Sequence, residues 1–525
     1  MATIHPLRSP QKPNGEIPTA TELQQSITEK TQELVDFAIT SGGQETTFDA
    51  FERSLRDLIF ELARIVVVLF LTSAEDRVRQ QTPTRLHIEG REYQRTRKYL
   101  RTLTTWFGTV CYERTYMRQI GVRKGRGFFP LDIALGLVAD RFSFATLAVV
   151  VRLATKLSFA SAKATAELFL PTVPSTEVIE QATLGFGSFT TEWFDIVPPP
   201  DDDGDVLVIL VDSKGAPTAT ERELRRRRRP HKERKKAPSP RHRGRKRRGR
   251  YDPLPRRKKG DKSKNAKMAT VVVMYTLRSE GTLLLGPINK RFYASFAPKK
   301  HAFEYARREA DKRGFTRGSG KIVQLVTDGD NDLERYAKQL FPEATYHTLD
   351  VAHVVERLWE AGSCFFREGS KALRDWVEEQ KKLLFAGRIE ELLDELRSRR
   401  RAMGRGKKRR SRRKRLGEHI KYLAKRKEMM CYGELMDEDF EVGSGAVEGA
   451  VKYIIGKRCD QGGMRWIRER AEAVVQLRCI ELNGDWDRFV EHVHDVVRQE
   501  GTEKGRRLRI QRPQPAPLPE VEEAA

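Results

Sequence analysis

Apolar residues recur at three- and four-residue steps through residues 48–79, where Phe51, Leu55, Leu58, Ile59, Leu62 and Ile65 mark one helical face. A second helix is predicted over residues 19–39. Residues 93–118 read as β structure, with a turn at Gly108. From Phe142 to Gly187 the pattern becomes helix, break, helix, break, helix, with Ser158 and Ser175 placed to cap the second and third. Two unbroken apolar runs, 206–211 and 322–327, end at Asp212 and Asp328 and read as buried strands. Between them lie two β-like segments, 269–277 and 282–294, and a helix over 302–312. A helix (333–340) and a short strand (344–349) follow. Residues 351–430 read as helices interrupted by the basic run Arg399 to Arg415, and 446–458 as one more helix.

Strand, two strands, helix, strand, helix, strand is the element order of a ribonuclease H-like α/β core with a mixed five-stranded sheet. The expected plan is that catalytic core with a helical insertion, plus an N-terminal, mainly helical domain. In segments, residues 1–18 form a tail, 19–84 an N-terminal helical region, and 85–140 a β-containing region. Residues 141–197 are helical and suit either a helix-turn-helix DNA reader or an ordinary packing layer. The first part of the core spans 205–350, the insertion 351–441 and the core's C-terminal helices 442–495. Residues 496–525, basic and then acidic, are expected to be a disordered tail.

Charge adds a partner. The 525 residues carry a net charge of +26, and lysines and arginines that neutralise phosphates gain affinity by counterion release. The basic residues cluster. Arg225, Arg226, Arg227, Arg245, Lys246 and Arg247 lie in a loop over 222–267, and Arg409 and Arg410 lie in the later basic run. These are the expected contacts to double-stranded DNA; a purely solvating loop is the alternative for 222–267. The five cysteines are scattered without C-x-x-C spacing, which argues against a disulfide framework. The N-terminus lacks the apolar stretch of a signal peptide, and the apolar run 65–71 is too short to span a bilayer. No membrane partner and a cytoplasmic location follow as expectations.

Asp212 and Asp328 each end a buried strand. If those strands are neighbours, their carboxylates can share a cation, because two like charges in a half-buried site otherwise repel. The other reading of each is a helix cap or turn former. Glu448 lies near the start of a helix that Ser444 is placed to cap. It borders the face of Val447, Val451, Ile454 and Ile455 and can point inward, or it can pair at the surface with Lys452. Asp350 and His353, three apart at a helix start, share one face and suit either a site role or a cap with a partly buried histidine. Asp330 and Asp332 are the main rivals to Asp328.

Six segments together resemble one family: 128–137 (Phe128 to Leu137), 211–217, 267–275, 327–330, 349–359, and 442–449 with the nearby 462–466. Over roughly residues 85–490, in the same order, the chain is similar to bacterial insertion-sequence transposases of the ISKra type, within the Mutator-like group with an Asp-Asp-Glu site. The resemblance implies that Asp212, Asp328 and Glu448 are the catalytic acids and metal ligands. It implies Mg²⁺ as cofactor, with Mn²⁺ as a substitute. Asp350 and His353 match an accessory Asp-x-x-His motif, and Trp466 a tryptophan that follows the catalytic glutamate. Terminal inverted repeats and target DNA become the expected partners, a homodimer or higher assembly the expected synaptic form, and the bacterial nucleoid the expected location. The family's cysteine pair is absent, because residues 117–123 stand in its place. Two rival readings remain: an inactive or domesticated relative that only binds DNA, and a ribonuclease H-type nuclease without joining activity.

Overall fold

The structure is a computed structural model that describes residues 17–44, 46–122, 127–221, 266–404, 406–461 and 464–510. Arg225, Arg226, Arg227, Arg245, Lys246 and Arg247 lie outside the described residues. The chain divides into two compact units. One comprises the described parts of Met1–Trp193 and Gly484–Pro515, the other those of Phe194–Asn483.

The first unit opens with two helices, Ala20–Gly42 and Phe48–Gln81. Thr19 and Glu22 close a reciprocal capping box on the first. Four antiparallel strands follow in order: β1 (Arg85–Ile88), β2 (Arg91–Thr105), β3 (Gly108–Gln119) and β4 (Gly127–Phe128). Gly108 makes the expected tight turn between β2 and β3 with φ of 113°, a conformation that side chains disfavour. The second helix buries Val68, Leu71 and Val78 against Leu103, Val110 and Tyr112 of that hairpin. Helices Phe144–Lys156, Phe159–Ala166 and Thr176–Gly187 then pack around Val150, Ala154, Ala162 and Ile179. Ser158 and Ser175 cap the last two, as the spacing predicts.

The C-terminal part corrects two expectations. The helix Trp486–Lys504 belongs to this first unit, so the stretch 442–495 is not one body. Nor does a disordered tail begin at 496, because Val493, Val497 and Gly501 continue a buried stripe at four-residue steps. The chain then returns, and Leu508 packs against Gly501, where a Cβ would meet it at 1.9 Å. Leu508 and Ile510 are buried.

The second unit is built on a mixed five-stranded sheet. Its strands are β5 (Val206–Pro217), β6 (Ala266–Glu280), β7 (Leu283–Ser295), β8 (Ile322–Thr327) and β9 (Tyr346–Leu349), in spatial order β7-β6-β5-β8-β9. β5, β6 and β7 run antiparallel; β8 and β9 run parallel to β5. β5 is central, and Val206 to Val211 are all buried, which is why the sequence there is an unbroken apolar run. Asp203, in the linker before β5, forms a two-point ion pair with Arg313 at 2.7 and 2.8 Å that anchors the strand's entry.

Residues beyond β9 form their own helical core. Helices Val351–Gly362, Lys371–Phe385, Ile389–Ala402 and Lys407–Lys425 surround Leu358, Trp376, Val377, Leu392, Leu396, Leu416 and Leu423. The helical stretch is interrupted within the basic run, as expected, but only between Ala402 and Lys407. The basic run continues the helix to Ala402 and starts the next at Lys407, because arginine and lysine are good helix formers. Helix Arg468–Leu482 lies on the sheet beside β7, with Ala471 to Ile480 all buried. Among the described residues, no helix is long and apolar enough to cross a membrane.

Candidate functional site

β5 and β8 are hydrogen-bonded neighbours in parallel register, with Val211 opposite Thr327. Contrary to expectation, Asp212 does not end its strand. It lies within β5, opposite Val271 of β6, at the point where β5 outruns β8, while Asp328 is the first residue past β8. The two acids therefore follow the last β5–β8 pair on neighbouring strands, which are spaced about 4.8 Å apart. Both are half-buried. Asp212 Oδ1 accepts the Ser213 N–H at 2.5 Å, and Asp328 Oδ1 accepts the Asp330 N–H at 2.8 Å. Among the described residues no donor reaches the second oxygen of either. The two rivals are occupied elsewhere. Asp330 caps helix Asn331–Leu340 and pairs with Lys299 at 2.7 Å, while Asp332 pairs with Arg335.

β9 leads directly into Asp350, whose carboxylate is fully buried. It caps helix Val351–Gly362 through the Ala352 N–H at 3.1 Å and also binds the His353 Nδ1 one turn on. It accepts two further bonds from Ser444, the N–H at 3.0 Å and the hydroxyl at 2.7 Å. The Ser444 hydroxyl also stands 3.0 Å from Glu448 Oε1. One hydroxyl proton serves one acceptor at a time, so Ser444 links the two carboxylates as a shared donor. Ser444 makes no side-chain cap on its helix, contrary to expectation. Its turn faces Asp350, a segment far away in the chain, and the buried carboxylate claims the hydroxyl. Glu448 projects from helix Gly445–Val451 and is exposed. The helix then widens into a π turn, Lys452–Gly456, which turns both Ile454 and Ile455 inward.

Charge couples these groups. Burial raises the Asp212 carboxyl above its usual range. The Ser213 N–H opposes this, the negative charges of Asp328 and Glu448 add to it, and His353 offsets part of it. Three acids and one histidine from four separate segments thus share one electrostatic neighbourhood. For Asp350, burial also acts upward, but the bonds from His353, Ser444 and the Ala352 N–H outweigh it and hold the carboxyl below its usual range. His353 is pushed up to about 9, first by its bond to Asp350, against burial, and further by the charges of Asp350, Asp328 and Glu356. It is a cation at neutral pH.

The oxygen donors Asp212, Asp328 and Glu448 suit a hard divalent cation. The upward pull on Asp212 comes first from burial, and the charges of Asp328 and Glu448 add to it. Among the described residues, no group of three or more His, Cys, Asp or Glu is close enough to hold a metal ion. Trp466 stands apart from the acids. Its N–H donates to Pro217 at 3.1 Å, its carbonyl accepts the Ala219 N–H at 2.8 Å, and the Arg458 guanidinium lies 4.7 Å from its ring. It extends the far end of β5. Arg409 and Arg410 are exposed on the first turn of helix Lys407–Lys425. Ser444 was legible only as a cap, because the sequence cannot show that Asp350 faces it. No protein-family model and no curated protein matches the chain.

Proposed function

We propose that this chain is a DNA transposase of the insertion-sequence type named above, with a ribonuclease H-like catalytic core and an Asp212, Asp328, Glu448 site for Mg²⁺ or Mn²⁺. The observation that carries the reading is the parallel register of β5 and β8, which brings Asp212 and Asp328 onto neighbouring strands just past the Val211–Thr327 pair. The sheet order, with Asp212 on the central strand and Asp328 beside it, is compatible with that fold. The net charge of +26 and the exposed Arg409 and Arg410 suit a phosphate backbone.

When bound, divalent cations stabilise the attacking and leaving oxygens of an in-line displacement at phosphorus. Asp212, Asp328 and Glu448 would hold them. The protein's own groups do the rest. Cationic His353 offers a charge to the scissile phosphate, and Asp350 fixes the orientation of its ring. The Ser444 hydroxyl stands between Asp350 and Glu448 and donates to one of them at a time, so the third acid competes with a buried group for that proton. One site serves both hydrolysis at an element end and attack of the freed 3′-OH on target DNA. Two ends must be synapsed, so the working form is a homodimer or a larger assembly.

The test is cleavage and strand transfer on labelled element-end DNA with Mg²⁺, comparing wild type with Glu448→Gln. Metal-dependent products from wild type alone support the reading. Equal activity in both proteins moves the third acid away from Glu448. The second reading is a DNA-binding relative without catalysis. DNA binding without products from either protein would favour it.

A further inference from the structure

The Asp328 loop is gripped from outside the sheet by the C-terminal end of helix Lys407–Lys425 of the helical insertion, where Arg426 is the residue that follows the last turn. Tyr422 and Arg426 lie four residues apart, one helical turn. The Tyr422 hydroxyl donates to the Asp328 carbonyl at 3.0 Å. Arg426 Nη2 donates to the next carbonyl, that of Gly329, at 2.8 Å and to Asn331 Oδ1 at 3.0 Å. Its Nε binds Glu334, and its guanidinium lies 4.0 Å from the Tyr422 ring centre. Arg426 is buried, and Glu334 is 7% exposed. Gly329 has φ of 77°, and a Cβ there would fall 2.0 Å from the Tyr422 hydroxyl. The glycine thus serves both the left-handed backbone and the seating of the phenol.

Two successive carbonyls at the end of β8 are therefore held by two side chains of one helix face. The first carbonyl is Asp328's own and the second is that of the next residue, so their backbone sets the direction of the Asp328 carboxylate. We infer that Tyr422 and Arg426 are positioning residues for Asp328, through which the helical insertion holds this carboxylate in line with Asp212. The inference rests on the proposed metal role of Asp328. It gives the insertion a part in the site's chemistry, beyond its basic face.

The experiment measures Mn²⁺ binding to the full chain by electron paramagnetic resonance, for wild type, Tyr422→Phe, Arg426→Lys and Asp328→Asn. Thermal melting of each is recorded in chelator. Tyr422→Phe keeps the ring and its packing and removes only the hydroxyl. The expected result is melting close to wild type, with Mn²⁺ binding weakened about threefold to tenfold, the worth of one net hydrogen bond. Arg426→Lys should weaken binding further, because lysine cannot reach Gly329, Asn331 and Glu334 together. Wild-type Mn²⁺ affinity in Tyr422→Phe, with Asp328→Asn impaired, would overturn the positioning role alone. Equal Mn²⁺ binding by wild type and Asp328→Asn would remove the metal role of Asp328 and the inference with it.

Discussion

Asp212 and Asp328 stand side by side because Val211 pairs with Thr327 in parallel register. Two carboxylates, one within β5 and one just past the end of β8, are held close without a bond between them. Asp212→Asn removes one of these charges with little change in shape. Melting in chelator should rise, since burial and the neighbouring acids already disfavour the ionised form. Metal-dependent cleavage should fall by on the order of a hundredfold or more. Unchanged melting together with unchanged cleavage would remove Asp212 from the site.

Asp350 gathers donors from two segments. Asp350→Ala leaves the Ala352 and Ser444 N–H groups and the His353 ring without their shared acceptor. The expected cost is about 3–5 kcal/mol in urea unfolding, the scale for breaking a buried charged pair. Ser444→Ala should cost less, about 1–3 kcal/mol, because it removes the hydroxyl that Asp350 and Glu448 share but keeps the backbone N–H on Asp350. A larger loss in Ser444→Ala than in Asp350→Ala would contradict the order of dependence drawn here.

Arg409 and Arg410 are exposed, and among the described residues no carboxylate lies within ion-pair distance of either. Replacing both with glutamine should leave melting within about 0.5 kcal/mol of wild type. The salt dependence of DNA binding should become shallower by about two phosphate contacts. An unaltered salt slope would place the DNA elsewhere.

Glu472 supplies a pH prediction distant from the acids in sequence. Its carboxylate lies inside helix Arg468–Leu482 and accepts bonds from the Ser295 hydroxyl, the Phe296 N–H and Gln476, each at 2.6 Å. Burial is the largest influence and pushes it from 4.5 up to about 7, against those three donors. The folded state therefore holds this proton more tightly than the unfolded chain. Its contribution to stability is full below about pH 4.5 and is lost as pH rises through 7. Glu472→Gln should destabilise at pH 5, where the neutral acid is well suited, by about 1 kcal/mol. That deficit should shrink or reverse by pH 8, which urea titrations at the two pH values can read. A constant difference across that range would show that Glu472 does not bind this proton on folding.

Periodicity alone determined much of this protein. The two long N-terminal helices, the hairpin at Gly108, the serine caps at 158 and 175 and the two buried strands that lead to Asp212 and Asp328 follow from local pattern, although β5 runs on past Asp212 to Pro217 because β6 continues to pair with it. Charge likewise marked Arg409 and Arg410 before any fold was known. Tertiary structure alone decided the rest. Ser444 serves Asp350 instead of its own helix, and Tyr422 reaches Asp328, since each pair joins segments nearly a hundred residues apart. The helix Trp486–Lys504 joins the first unit. Its stripe records that it is buried but not against what. Local pattern specifies which side chains must leave water; only the folded chain specifies their partners, because a hydrogen bond or a buried carboxylate depends on what arrives from elsewhere.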